Sequence, residues 1–288
     1  MPRAARFSIL FLIAALVVSA AVPVLGTTPS AADLIALADA AYMNRHIEES
    51  MTEALALYES ILPSLASLSV QTQAYVLNRL SQLCYEAALF TEGTTPEDGE
   101  LYTKGKEYGF RSLRLNEDFV AHESEGLEAA LAYATDLMAM HWLANNWGML
   151  CGMNPLQGFL QQGNVLVLFA RCVELDPRFW GASSGSALGS LLIMLPGPMG
   201  GDDEAGLALV EDSIVLDPSY LNNHIILAEY WGFTYNMFGA LTGIQDAELV
   251  RRELAIVLEG EIGDWPFWNR QAKIAAERLL AKLEELER

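Results

Sequence analysis

The chain has 288 residues, with 37 Asp or Glu against 17 Lys or Arg, so its formal net charge at pH 7 is −20. A surface this acidic argues against nucleic acid and anionic membrane as partners. The three cysteines, Cys84, Cys151 and Cys172, are too few and too widely spaced for a disulfide framework. One bridge with a leftover thiol fits the count, but buried small side chains on helices are the simpler interpretation.

The N-terminal segment has the order of a secretory signal. Arg3 and Arg6 precede an unbroken apolar stretch over residues 7–21, and small residues follow it. We therefore predict a signal peptide over residues 1–26 and a periplasmic protein. Because the apolar stretch approaches the roughly 20 residues that span a bilayer, a retained N-terminal helix is the alternative. No cysteine lies near the cleavage region, so the sequence does not predict lipid attachment.

Residues 27–288 are predicted to form a single domain of helix pairs. Four segments close alike, with an amphipathic helix that ends on Leu, then a breaker, then an apolar residue that starts the next element. These leucines are Leu115, Leu175, Leu216 and Leu258. The recurrence, with irregular insertions, predicts a repeat protein in which neighbouring pairs share a core.

A small residue stands three positions before each of these leucines. The four are Ser112, Cys172, Ser213 and Ala255. Tetratricopeptide (TPR) helices place a small residue where a neighbouring helix packs closely, and their consensus also closes on Leu followed by Asp or Asn and Pro. The pattern therefore predicts an all-α, TPR-like superhelix and assigns Cys172 to packing.

In chain order we predict five helix pairs and a closing C-terminal helix, with no strands. The pairs are 33–45 with 50–62, 71–90 with 100–115, 127–151 with 156–175, 185–195 with 204–216, and 222–238 with 246–258; the closing helix is 268–287.

The helix predicted over residues 127–151 is apolar nearly all round, which indicates that it is buried. It nevertheless carries two amides, Asn145 and Asn146, beside two indoles, Trp142 and Trp147. Buried amides need hydrogen-bond partners. They either bridge neighbouring helices or, with the indoles, line a site for a small organic ligand.

Two arginines are candidates for holding a carboxylate. Arg79 shares a predicted helical face with Gln82 and Glu86, and Arg171 lies on the third pair. A guanidinium in a concave face can bind a carboxylate through two hydrogen bonds. The alternative for each is an ion pair with a nearby Glu, or contact with water.

Other chemistry is poorly supported. The stretch Gly181–Gly185 matches the G-x-S-x-G nucleophile pattern, but that pattern needs a strand that turns sharply into a helix. A serine hydrolase is therefore a remote alternative, and it would require Ser183 to lie beside His224. No two of the four histidines have a metal-binding helical spacing, and no nucleotide-binding motif is present. The sequence predicts no metal, no cofactor and no enzymatic activity.

Several stretches together resemble the T component of tripartite ATP-independent periplasmic (TRAP) transporters, the TatT family. They span roughly residues 75–260, and the more specific ones contain Asn-Trp-Gly and Pro-x-x-x-Gly-Gly-Asp. The stretches are Gln82–Phe90, Tyr102–Lys106, Trp142–Gly148, Leu195–Asp202, Leu216–Leu221 and Leu227–Trp231.

The resemblance implies a periplasmic accessory protein that docks the transporter's solute-binding (P) protein. It also implies a homo-oligomer, a trimer in similar proteins, in which an internal cavity holds or passes a small apolar or carboxylate-bearing ligand. Members are often lipoproteins, whereas this chain offers no lipid-acceptor cysteine, so membrane attachment stays open. The alternative from another class is a periplasmic TPR scaffold whose concave face binds a partner peptide.

Overall fold

The computed structural model describes residues 29–288 except residue 92 and residues 237–239, and it leaves the side chains of residues 155 and 157 undescribed. The predicted signal peptide, residues 1–26, lies outside the described residues. Within the described part of the chain, every helix is too short or too polar to cross a membrane.

Helices make up nearly all of the described regular structure. They are α1 (Ala31–Tyr42), α2 (Glu48–Glu59), α3 (Val70–Ala88), α4 (Pro96–Leu113), α5 (Glu117–His122), α6 (Leu127–Leu131), α7 (Leu137–Met153), α8 (Pro155–Leu175), α9 (Ser183–Met194), α10 (Asp203–Leu216), α11 (Asn222–Tyr230), α12 (Ala247–Glu259) and α13 (Trp268–Leu286). Short 3₁₀ segments cover Leu62–Ser67, Glu123–Glu125 and Gly197–Met199, and one antiparallel hairpin joins β1 (Phe233–Tyr235) to β2 (Leu241–Ile244).

The long helices pack as successive pairs, as predicted. The pairs are α1 with α2, α3 with α4, α7 with α8, α9 with α10, and α11 with α12, and α13 packs on α11 and α12. The predicted all-α, TPR-like array with a closing helix is confirmed.

Side-chain caps fix where many helices begin. Ser30 and Thr95 form capping boxes with Asp33 and Asp98, and Asp202 accepts the backbone N–H of Ala205 at the start of α10. Each cap satisfies amides that have no partner inside the helix. At Asp202 the carboxylate occupies the amides that an anion would otherwise use.

Two predicted helices were wrong in extent. Residues 127–151 form α6, a connection and α7, because the Asp136 carboxylate caps α7 by accepting the N–H of Ala139. The helix predicted over 222–238 ends at Tyr230 and is followed by β1, and residue 238 lies outside the described residues. At Gly232 a Cβ atom would stand 2.1 Å from Val250 Cγ2, so the chain can pass close to α12 only at a glycine.

The packing role of the small residues is confirmed at three positions of four. Ser112, Cys172 and Ser213 are buried, and burial raises the pKa of the Cys172 thiol to about 12, as expected for an unreactive packing residue. Ala255 is exposed, so the prediction was wrong there. The reason is that α12 turns Val250 and Leu254 inward, which leaves Ala255 on its outer side. All three cysteines are free thiols.

A buried carboxylate joins the beginning of the array to its end. The Glu86 side chain is fully buried and accepts hydrogen bonds from Arg45 Nε at 2.7 Å, Gln82 Nε2 at 2.9 Å and Trp268 Nε1 at 3.0 Å. Arg45 follows α1, Glu86 lies on α3 and Trp268 begins α13. One core cluster accordingly contains residues of α1–α3 together with Phe267 and Trp268. The helix pairs therefore close into a ring.

The contact between α9 and α10 requires glycine. A Cβ atom at Gly189 would stand 2.5 Å from the Gly206 carbonyl oxygen, whereas one at Gly163, inside α8, would meet nothing within 4 Å. We predict that Gly189→Ala lowers the free energy of unfolding by about 1–3 kcal/mol through overpacking. Gly163→Ala should raise it by about 0.5–1 kcal/mol, because alanine has the higher helix propensity. Urea denaturation measures both, and equal effects would contradict the packing described.

Candidate ligand site

Six aromatic side chains from separate parts of the chain meet inside the ring. Neighbouring ring centroids lie between 4.9 Å, for Tyr220 and Trp265, and 6.1 Å, for Tyr85 and Trp268. Such separations are those of favourable edge-to-face and offset aromatic contacts. We call this group the aromatic cluster; its members are Tyr85, Trp142, Trp180, Tyr220, Trp265 and Trp268.

Two indole N–H groups in the aromatic cluster have no hydrogen-bond partner. They belong to Trp142 and Trp180, whose rings lie 5.2 Å apart and nearly perpendicular, and both nitrogens are buried. By contrast, the Trp147 and Trp268 indoles donate to Gln161 and Glu86. An unsatisfied buried donor costs about 1–3 kcal/mol, so two neighbouring ones make this pair the candidate for contact with a ligand.

The backbone that carries Trp180 is strained. Trp180, Gly181 and Ala182 all have positive φ angles, of 52°, 67° and 59°. For a residue other than glycine this conformation costs about 1–3 kcal/mol and persists only where its surroundings impose it. At Gly181 a Cβ atom would lie 2.5 Å from the Tyr220 ring, so the segment is pressed against the aromatic cluster. This backbone conformation places the Trp180 indole beside Trp142.

One carboxyl group on α11 has no partner among the described residues. Glu229 is half-buried, and it makes no hydrogen bond or ion pair with the described residues. Burial raises the pKa of its carboxyl to about 7. Its charge also contributes to raising the pKa of the hydroxyls of Tyr85, Tyr230 and Tyr235.

Of the four predicted residues on α7, only Trp142 belongs to the aromatic cluster. Asn146 donates to the backbone carbonyls of Ser81 and Trp142, which makes it a bridge between α3 and α7. Asn145 donates to the backbone oxygen of His141 and lies 3.1 Å from His141 Nε2. The helix-bridging alternative therefore describes Asn146, whereas Asn145 supports a neighbouring histidine.

The remaining predicted residues lie elsewhere. Trp147 packs in a second core cluster, under the Lys106 ammonium at 3.8 Å from its ring centroid. Arg171 donates to backbone oxygens of the α6–α7 connection and pairs with Glu174. The structure does not bring either side chain to Trp142.

Arg79, Gln82 and Glu86 do share one face of α3, as predicted. Arg79 Nη1 donates to Gln82 Oε1 at 2.9 Å, and its guanidinium lies 3.9 Å from the centroid of the Tyr42 ring. These contacts connect Arg79 to the Glu86 network that closes the ring. Its Nε atom is buried and has no partner.

The serines of the G-x-S-x-G stretch do not form a hydrolase triad. Ser183 begins α9, and its hydroxyl lies 3.5 Å from Nε2 of His141, while His224 Nδ1 is 2.6 Å from a Glu253 oxygen. Burial lowers the pKa of His141 to about 3, so the imidazole is neutral, and its Nδ1 contacts Ser184 at 2.8 Å. Among the described residues, no group of three or more acidic, histidine or cysteine side chains could hold a metal ion.

Sequence reasoning missed Trp180, Trp268 and Glu229. The sequence could have indicated Glu229, because it is a polar residue in an apolar helix, as Asn145 is. The other two are loop or helix-end residues, whose neighbours depend on how the ring closes.

The raised pKa of Glu229 gives a prediction for stability. Its folded-state value of about 7 exceeds the ordinary 4.5, so the wild type loses stability as pH rises through this interval, when the buried carboxyl ionises. Glu229→Gln removes that loss. We predict that its stability advantage over the wild type grows by about 2 kcal/mol between about pH 5 and about pH 8 in urea denaturation. The exposed Glu248→Gln is the control; a pH-independent difference for Glu229→Gln would contradict the burial described.

The family comparison agrees with the architecture. The model of the TRAP transporter T-component family, TAtT, matches residues 47–286, which includes every member of the aromatic cluster and Glu229. A search of curated proteins gave no match. T components are accessory parts of transporters, and theirs is not an enzyme family. The chain belongs to the TRAP transporter T-component family.

Proposed function

We propose that this T component docks the solute-binding protein of a TRAP transporter in the periplasm and holds a small organic ligand inside its ring. The observation that carries the ligand part is the pair of unpartnered indole N–H groups of Trp142 and Trp180. The family supports association with transporter partners.

The aromatic cluster suits a ligand with both an apolar part and an acceptor. The ring faces of Trp142, Trp180 and Trp268 offer apolar surface. The Trp142 and Trp180 rings lie 5.2 Å apart, and a carboxylate, which has two oxygens and is a stronger acceptor than a neutral oxygen, suits a pair of neighbouring donors. Binding would satisfy donors that otherwise stay unpaired in the core.

The closed ring favours this function over the peptide-binding scaffold. A scaffold of TPR type needs an open concave face along which a peptide can lie. Here the hydrogen bonds from Arg45 and Trp268 to Glu86 connect the first helix pair to the last helix. An array joined in this way offers an extended peptide less of the open face that it needs.

Self-association, as a homotrimer, is also part of the proposal. Leu156, Phe159 and Leu160 are 76%, 60% and 73% exposed on α8, at spacings that place them on one helical face. On a chain of net charge −20, three neighbouring large apolar side chains that are exposed to water form a patch that is typical of interfaces.

Native mass spectrometry of the protein purified from periplasm tests ligand and trimer together. We predict a trimer that carries one small molecule in each protomer. Trp142→Phe should lose most of the bound molecule and remain trimeric, because it keeps an aromatic ring but removes one donor. Trp147→Phe is the matched control, since that indole already donates to Gln161 and lies in the other core cluster.

In the same experiment Phe159→Glu should give monomers that still carry the ligand, whereas Val215→Glu, 78% exposed on α10, should remain trimeric. Ligand retention by Trp142→Phe at the wild-type level would contradict the assigned role of its indole. A monomeric wild type would contradict the trimer.

Docking is tested with the solute-binding protein of the same transporter. We predict a complex at micromolar concentration whose dissociation constant rises about tenfold when NaCl is increased from about 50 mM to about 500 mM, because the acidic surface of the T component attracts its partner electrostatically. Biolayer interferometry over a salt series measures this. Failure to form a complex at low salt would contradict docking, and salt-independent binding would contradict the electrostatic part.

A further inference from the structure

Arg79, on α3, is a partly buried arginine that forms no ion pair with the described residues, although the chain has 37 acidic residues against 17 basic ones. The carboxylates around it are engaged elsewhere. Glu86, on the same face of α3, pairs with Arg45, and Asp39, on α1, accepts from the hydroxyl of Tyr75. A cation that is partly removed from water is costly without a counter-charge. The fold therefore keeps a positive group here for which it supplies no acid.

The guanidinium of Arg79 is fixed in its orientation by two contacts. Its Cζ lies 3.9 Å from the centroid of the Tyr42 ring, and Arg45 Cζ lies 4.2 Å from the same centroid, so this one ring contacts both guanidinium groups. Arg79 Nη1 donates to Gln82 Oε1 at 2.9 Å, and Gln82 Nε2 in turn donates to Glu86. A planar guanidinium that is stacked on an aromatic ring and bonded at one nitrogen is preorganised for a further contact.

One edge of the Arg79 guanidinium is left for that contact. Nη1 is used by Gln82, whereas Nε is buried and has no hydrogen-bond partner. Nε and Nη2 together form one of the pairs of parallel donors through which arginine binds a carboxylate with two hydrogen bonds. An unsatisfied buried donor is costly, so this edge is a candidate for contact with an anion.

An open cleft adjoins this arginine. It has a volume of about 440 Å³ and lies between the first turns of α1 and α3, with a size in the range of roughly 300–1,000 Å³ that is usual for ligand sites. Tyr75 stands one turn before Arg79, and its ring centroid lies 5.3 Å from Arg79 Cζ. Tyr75 therefore belongs both to the cleft and to the surroundings of the guanidinium. The cleft is lined by Ala32, Ile35, Gln71, Thr72 and Tyr75.

We propose that Arg79 binds the carboxylate of a small organic acid through Nε and Nη2, and that the apolar part of the acid lies in the cleft against Ile35 and Tyr75. The charge of the guanidinium selects an anion, and the side chains of Ile35 and Tyr75 select an acid with an apolar group. This site is separate from the proposed contact at Trp142 and Trp180, and its occupation does not depend on ligand binding there.

Three probes separate charge from shape. Phenylacetate has a carboxylate and an apolar ring, phenylacetamide has the same shape without the charge, and acetate has the charge without the ring. Each is titrated into the purified protein by isothermal titration calorimetry at about pH 7, where both acids are ionised. We expect phenylacetate to bind at least about tenfold more tightly than either of the other two probes.

Variants assign the preference for phenylacetate over phenylacetamide to Arg79. Arg79→Gln should reduce it to less than about twofold, whereas Arg270→Gln, the same change at an exposed arginine, should leave it intact. Arg79→Lys keeps the charge but has no pair of parallel donors, so it should weaken phenylacetate binding at least about threefold. Trp142→Phe should retain the preference in full, because the two sites are separate. Circular dichroism verifies that every variant is folded.

Several results would overturn the proposal. They are equal affinity of the wild type for phenylacetate and phenylacetamide, a preference that survives in Arg79→Gln, and the absence of phenylacetate binding at millimolar concentration. Acetate that binds as tightly as phenylacetate would overturn the part assigned to the cleft, and full affinity in Arg79→Lys would overturn the two-point contact. If Arg79→Gln weakens only the docking of the solute-binding protein, the occupant is a carboxylate of that partner and the assignment to a small acid is wrong.

Loss of the preference in Trp142→Phe but not in Arg79→Gln would place the acid at the aromatic cluster instead. That result would contradict the Arg79 site and leave the proposed ligand-holding function standing.

Discussion

The buried Glu86 carboxylate is the interaction on which the arrangement of this protein depends. A stack of helix pairs is held by contacts between neighbours, and nothing in such contacts requires its two ends to meet. Here Arg45, beyond the first helix, and Trp268, at the start of the last, donate to the same carboxylate. Removing either donor would leave a buried charge partly unsatisfied, which is far more costly than losing an exposed ion pair. The buried carboxylate therefore determines which residues meet where the array closes, and it also stabilises that contact.

Closure brings helices that are distant in the chain into contact. It explains how aromatic side chains of α3, α7 and α13 come to lie in one cluster. The strained backbone at Trp180 and the unpaired indoles of Trp142 and Trp180 are the observations from which we propose ligand binding at the aromatic cluster.

The helix pairs and their small contact residues could be predicted because both depend on local periodicity and on residue size. Trp142 was predicted as a site residue for a similar reason, as a polar-tipped residue on an apolar helix, and it lies in the aromatic cluster. Asn146 and Trp147 carry the same signal but are satisfied by Ser81 and Gln161, and only the packing of the neighbouring helices distinguishes them from Trp142. The contact between Glu86 and Trp268, which lie 182 residues apart, depends on the curvature of the whole array. No local sequence pattern predicts that curvature. The β-hairpin was missed because two short strands resemble the end of a helix in an apolar segment.

We propose that a small solute completes the aromatic cluster by accepting from its two unpaired indoles. A high-resolution crystal structure of the protein purified directly from periplasm, without added ligand, tests this proposal most directly. We expect non-protein density within hydrogen-bond distance of both Trp142 Nε1 and Trp180 Nε1. Indole nitrogens that donate to protein groups instead, with side chains filling the interior, would contradict it.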